Sequence, residues 1–436
     1  MTPAPTTGPT PAPASGPRTN WAGNITFGAR RFHRPSSIAE LRRIVAGSER
    51  VRALGTAHSF NRIADTPGDL VSVAGLPERV EIDPERRTVT VSAGMRYGEL
   101  AERLYAEGWA LHNLGSLPHI SVAGACATGT HGSGERNGGL ATAVSAMELV
   151  TADGELVTVS RSADGADFPG MVVGLGALGI VTALTLAVEP TYDLRQYVYR
   201  DLPGEQLREH IDEILGGGYS VSLFTDWTGD GINQVWRKLR VDGPDAATVP
   251  EVWHGATLAE EPLHPVPGMS AVNCTEQLGV PGPWHARLPH FRLEFTPSSG
   301  EELQSEYLVP RSEARSALDA LATIRHLIAP VLQISEIRTI AADDLWLSPS
   351  YRRESVAIHF TWVKDTPAVT PVLAAIEQAL APYAARPHWG KLFGTGPEAL
   401  RNRYERFDDF RRLRDRYDPS GKFHNELTAR YFPSDL

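Results

Sequence analysis

The chain has 436 residues, 42% of them hydrophobic and 22% charged, with a formal net charge of −10. That length is too great for one simple core, so two domains are expected, and the acidic balance excludes a nucleic-acid backbone as partner, which needs a basic footprint. No apolar run approaches the roughly 20 residues that span a bilayer, and two cysteines, Cys126 and Cys274, make no disulfide framework and suit a reducing cytoplasm.

Residues 1–18 are mostly Pro, Thr, Ala and Gly, without the charged and apolar regions of a secretion signal. They read as a disordered tail, because so little apolar bulk cannot offset the entropy of ordering. From Trp21 to Glu189 short strands, turns and amphipathic helices alternate. Ser36 or Ser37 caps a helix over 37–45 with Ile38, Leu41 and Ile44 inward. The stretch 87–92 alternates as a strand, and 97–105 reads helical. Stretches 147–151 and 155–159 flank Ala152-Asp153-Gly154 as a hairpin. Gly174-Leu175-Gly176-Ala177-Leu178-Gly179 fits a dinucleotide fingerprint letter for letter, but an alternating β-branched run follows it at 180–186. The glycines therefore enter a strand, whereas the fingerprint requires a helix.

A second domain is expected over 190–386, an antiparallel sheet covered by helices. Its strands are expected at 221–224, 291–295, 332–340 and 355–363, and its helices at 203–214, 311–328 and 371–380. Residues 387–436 then return to the first domain.

Two loops carry chemistry. Ala53-Leu54-Gly55-Thr56-Ala57-His58-Ser59 and Ala127-Thr128-Gly129-Thr130-His131-Gly132-Ser133-Gly134 put small residues where backbone amides can approach a phosphate. With Ser116-Leu117-Pro118-His119-Ile120-Ser121-Val122-Ala123-Gly124 between them, they point to a large phosphorylated cofactor. Glu336 and Arg338 share a strand face with Leu332, Ile334 and Ile340, where unpaired charges are costly. On the next strand Ala357, His359 and Thr361 lie opposite Val356, Ile358, Phe360 and Trp362, a pattern that fits a cavity wall or a solvent-facing surface. Metal chemistry has no H-E-x-x-H, C-x-x-C or spaced carboxylate cluster to rest on. Gly132-Ser133-Gly134 lacks the spacing of a serine nucleophile elbow.

These loops, with Asn273-Cys274-Thr275-Glu276-Gln277, Glu336-Ile337-Arg338, Pro387-His388-Trp389-Gly390-Lys391 and Asp418-Pro419-Ser420-Gly421-Lys422-Phe423, resemble the vanillyl-alcohol-oxidase superfamily of flavoproteins. The likeness is to its aldonolactone and alditol oxidases and runs over nearly the whole chain from Asn20. It implies an α+β, two-domain flavoprotein: a vanillyl-alcohol-oxidase-type (PCMH-type) FAD-binding domain over 19–189 and an α+β substrate (cap) domain over 190–386. It implies FAD held covalently through His58, with further contacts from Ala53, Leu54, Gly55, Thr56, Ala57, Ser59, Ser116, Ser121, Gly124, Thr128, Gly129, Thr130 and His131. The segment around Ile180 is expected near the adenine side.

The same resemblance sets Ser116, Glu336, Arg338, Thr361 and Lys391 around a polyol, with His359 at a catalytic position. The implied reaction oxidises a terminal hydroxyl of xylitol, sorbitol or a similar alditol to the aldose and reduces O2 to H2O2. Charge assigns Arg338 and Lys391 as donors to the reacting oxygen, and Glu336 and Ser116 as anchors for neighbouring hydroxyls. His359 is the candidate base, with a neutral Lys391 as its rival. Gly115 stands where relatives often carry alanine, and the missing methyl leaves room for oxygen, which favours an oxidase. Two alternatives remain open: an aldonolactone oxidoreductase using another electron acceptor, and a non-catalytic binding protein on a flavin scaffold.

Overall fold

A computed structural model of the chain describes residues 18–243, 249–296, 298 and 300–433. The expected tail lies outside the described residues except for Arg18, whose guanidinium stands 4.5 Å over the Phe32 ring.

The first half is built on two sheets. Arg31–His33, Asp69–Ser72 and Val51–Leu54 pair in that order, all parallel. Five antiparallel strands run in the order Val80–Asp83, Thr88–Ser92, Ile180–Ala187, Val144–Val150, Leu156–Ser160. Helix Ile38–Gly47 starts where Ser37 accepts from the Glu40 amide, and it buries Leu41 and Val45. The glycine run at 174–179 does enter a strand, with positive φ at Gly176 and Gly179 that a side chain would strain. Leu400, Tyr404, Phe410, Leu413, Phe423 and Phe432 join the core formed by Val51, Leu100, Val150 and Leu184, so the end of the chain packs on its beginning.

The second half is a ten-stranded antiparallel sheet. Its centre reads Asp193–Leu202, Ile232–Arg240, Ser220–Thr225, Leu332–Ile340, Ser355–Trp362, Leu303–Pro310. Helices Gly204–Leu215, Ala314–Thr323 and Thr366–Leu380 cover one face, burying Leu207, Leu321 and Ile376 against Ile337, Ile358 and Phe360. Because side chains alternate across a strand, Glu336, Arg338, His359 and Thr361 are turned to the other face.

Several expectations need correction. The 291–295 stretch is not a strand: Phe291 makes one bridge to Cys274, and the chain then turns as the Phe295 amide bonds the Arg292 carbonyl. A register shift between Leu332 and Ile334 sends Leu332 to pack on the helix side. The 311–328 helix breaks after Thr323, and the last helix begins at Thr366, with Asp365 as cap and Pro371 inside it.

Candidate active site

The His58 turn is shaped by close approach. A Cβ on Gly55 would stand 2.3 Å from Ser121 Oγ, so a side chain there would have to turn the serine hydroxyl aside where the first loop touches the second. The Ser121 amide donates to Thr56 Oγ1 at 3.3 Å, and the short helix Val122–Ala127 follows. His58 stacks on Trp21, centroids 4.8 Å apart and planes 18° from parallel. Both its ring nitrogens are buried without a hydrogen-bond partner, and burial pushes its pKa down to about 4. A neutral, unsatisfied imidazole is what covalent attachment to a flavin ring requires. These residues line a cavity enclosing about 1810 Å³ of space, its mouth included. The orphaned histidine, the glycine approach and the small-residue walls all fit FAD.

The opposite wall comes from the sheet. Register places Phe224, Glu336, His359 and Glu306 in one row across four strands, with Thr361 and Gln304 one step along. Lys391 arrives from the segment after Arg386–Pro387, and its Nζ lies 2.7 Å from Glu306 Oε2 and 2.8 Å from His359 Nδ1. Arg338 donates to Glu306 Oε1 at 2.7 Å and to Ser116 Oγ at 3.1 Å, and its Nε lies 3.5 Å from Glu336 Oε1. His359 Nε2 stands 3.1 Å from Thr361 Oγ1. Asn61 ties the two walls together, donating to the carbonyls of Trp389 and Lys391 at 2.8 and 2.7 Å.

Electrostatics fix the charge states. Burial disfavours ionised Glu306, but Lys391, His131 and Arg338 overcome it and hold its carboxyl well below the usual range. Glu336 follows the same pattern, with Arg338 and His290 outweighing burial. Burial and then Lys391 push His359 well below its ordinary pKa, so it is neutral. Burial also lowers Lys391, against the pull of Glu306. Two carboxylates therefore face two cations around a neutral imidazole.

Ala53, Leu54, Gly55, Thr56, Ala57, His58, Ser59, Ser116, Ser121, Gly124, Thr128, Thr130, His131, Glu336, Arg338, His359, Thr361 and Lys391 all line the cavity. Gly129 and Ile180 do not. Gly129 turns at φ +69° towards Pro349, and the Ile180 side chain is fully buried in the core while Gly179 and Val181 reach the cavity. Three neighbours carry no motif: Glu306, His290 and Lys238. The readable signal for Glu306 is weak: Gln304 and Glu306 alternate with Leu303 and Tyr307, but Ser305 and Leu308 break the pattern.

Residues 29–160 match the family model of an FAD binding domain, and residues 300–431 match that of D-arabinono-1,4-lactone oxidase. The chain is 54% identical to an alditol oxidase of a Streptomyces strain, over 93% of this chain and 97% of that one. It is 29% identical to an L-gulono-1,4-lactone dehydrogenase of Mycobacterium tuberculosis, over 94% and 98% of the two. The fold is also that of cholesterol oxidase from B. sterolicum, with TM-score 0.75 at 14% identity, covering 98% and 100% of the two chains. Xylooligosaccharide oxidase from Myceliophthora thermophila C1 has TM-score 0.74 at 16% identity, covering 96% and 94%. Cavity, orphaned histidine and matched FAD domain define an FAD-dependent oxidoreductase. The chain belongs to the aldonolactone-oxidase branch of the vanillyl-alcohol-oxidase superfamily. Among the described residues no helix is long and apolar enough to cross a membrane.

Proposed function

We propose that the chain oxidises a terminal hydroxyl of an open-chain alditol, of the xylitol or sorbitol kind, to the aldose. Dioxygen is reduced to hydrogen peroxide, and the FAD is held covalently by His58. In this reading residues 19–189 and 387–436 hold the cofactor, and residues 190–386 form the cap that presents the polyol. Two buried free thiols, Cys126 and Cys274, suit a reducing cytoplasm.

The observation that carries the proposal is the convergence of Arg338, Lys391 and neutral His359 on the cavity that also holds His58. Turning an alcohol into a carbonyl removes one hydroxyl proton, plus one carbon-bound hydrogen with its electron pair. FAD bound beside His58 would supply the acceptor for that pair and the means of passing it to dioxygen. Arg338 and Lys391 hydrogen-bond the reacting oxygen and stabilise the negative charge that develops as its proton leaves. Across the 2.8 Å contact the Lys391 ammonium can pass a proton to Nδ1 of neutral His359 and then take up the proton that the hydroxyl releases. The two candidate bases thus act as one coupled pair. Glu336, Ser116 and Thr361 hold hydroxyls further along the polyol chain.

The 54% identity to an alditol oxidase supports a polyol over a lactone, against 29% to the lactone dehydrogenase. Peroxide yield under air tests the reading. One peroxide per aldose with xylitol or sorbitol is expected. Turnover with an aldonolactone and an artificial acceptor, without peroxide, would favour the lactone alternative.

A further inference from the structure

Lys238, in strand Ile232–Arg240, is 1% exposed, and among the described residues no carboxylate stands within ion-pair distance of it. Its Nζ meets three acceptors: the carbonyl of Leu288, the carbonyl of Pro289 at 3.3 Å, and His290 Nδ1 at 3.2 Å. The ionised Glu336 carboxylate accepts from His290 Nε2, so Nδ1 of the neutral ring is left to accept, and Lys238, which burial lowers to about 7, donates to it as ammonium or as amine. The imidazole is neutral, with burial and then Lys238 holding its pKa down to about 4, so its single proton sits on Nε2. That nitrogen lies 2.7 Å from Glu336 Oε1. Phe224 and Trp236 pack edge-on against the His290 ring at 5.5 and 5.1 Å and fix its plane.

His290 and Arg338 both address Oε1 of Glu336. Oε2 has no protein partner among the described residues and is left to the cavity that Glu336 lines. A carboxylate so held offers only lone pairs there. We infer that Lys238 and His290 are positioning residues that hold Glu336 as an acceptor-only carboxylate, which makes a hydroxyl donated to its Oε2 a condition of substrate binding. The inference rests on the polyol reading above and adds how the site selects a hydroxyl. A site built to bond a hydroxyl rejects the analogue that lacks it far more strongly than an apolar pocket rejects an extra methylene.

The test uses flavin-loaded enzyme, with anaerobic stopped-flow reduction giving Kd and limiting rate for a polyol and for its mono-deoxy analogues. In the unaltered enzyme, removing one particular hydroxyl is expected to weaken Kd about 10- to 100-fold, the range of a hydrogen bond to a charged group. His290→Phe is expected to raise Kd for the parent polyol by a similar factor and to abolish discrimination at that position. His290→Gln, which can accept from Lys238 and donate to Glu336, is expected to restore both to within a few-fold. Lys238→Met, which leaves His290 in place, is expected to erode the same discrimination.

Glu336 also faces Arg338 on its own strand, His359 on the next, and Lys391. With His290 gone, one of the groups that hold its carboxyl low is lost, so on acidification polyol binding weakens at a higher pH in His290→Phe than in the unaltered enzyme. Equal losses in the Phe and Gln variants overturn the inference. So does wild-type deoxy discrimination retained in both His290→Phe and Lys238→Met. An unaltered enzyme whose flavin no polyol reduces overturns the polyol reading and the inference together.

Discussion

At His58 the ring lies against Trp21 with both nitrogens buried and unbonded, so its lone pair stays available for a covalent bond. His58→Ala should therefore release its flavin on acid precipitation. Yellow colour remaining in the precipitate would place the linkage elsewhere. Lys391→Met and Arg338→Ala should each slow flavin reduction by polyol about 10²–10³-fold, the usual effect of losing one donor to developing charge. Near-normal reduction in both variants, read by stopped flow, would remove them from the reaction. Gly115 permits a finer test: its backbone is not left-handed, and a Cβ there would make ordinary contacts at 3.7–3.8 Å with His131 O, Ile120 and Thr130. Alanine should fit without strain and narrow oxygen's route, so Gly115→Ala should slow reoxidation more than reduction. Equal slowing of both half-reactions would mean that the glycine shapes the substrate pocket. His58 and Arg338 are legible in the sequence because each sits in a motif. His290 and Lys238 are not, since their meaning lies in partners 46 and 50 residues away in the chain.

Among elements, strands 332–340 and 355–362 can be read from alternation, and their pairing brings Glu336 opposite His359. Strand Leu303–Pro310 completes the row through Glu306, which contacts Arg338, Lys391 and His131 together. Without it two buried cations lose their shared counter-charge. Breaking such a cluster typically costs roughly 3–5 kcal/mol, so thermal melts of Glu306→Ala should fall well below those of the unaltered protein. An unchanged melting temperature would show that Arg338 and Lys391 find other partners. The false strand at 291–295 has the opposite lesson. Phe291 to Phe295 alternates well, yet the Arg292 amide and side chain are claimed by the carbonyls of Asn273 and Cys274, so the segment folds as a loop that delivers His290 and Phe291 to the cavity. Alternation reports which faces differ and is silent about which backbone groups a tertiary contact will take.

For the molecule as a whole, the site exists only where two halves meet: His58 and Ser121 on one wall, the Glu336–His359–Glu306 row on the other, and Asn61 holding Lys391 between them. The α+β class and the return of the chain end to the first core follow from element order and the closing motif at 418–423. The ten-stranded extent of the second sheet does not, because most of its partners are distant in sequence and three of its strands are only two residues long. Turnover requires the two walls to act together, and flavin colour reads that coupling directly. Purified protein mixed anaerobically with xylitol or sorbitol should lose its oxidised-flavin absorbance, then regain it on admission of oxygen with one hydrogen peroxide formed per flavin. A flavin that stays oxidised with every alditol but is bleached by an aldonolactone, or one reoxidised without peroxide, would contradict the assignment.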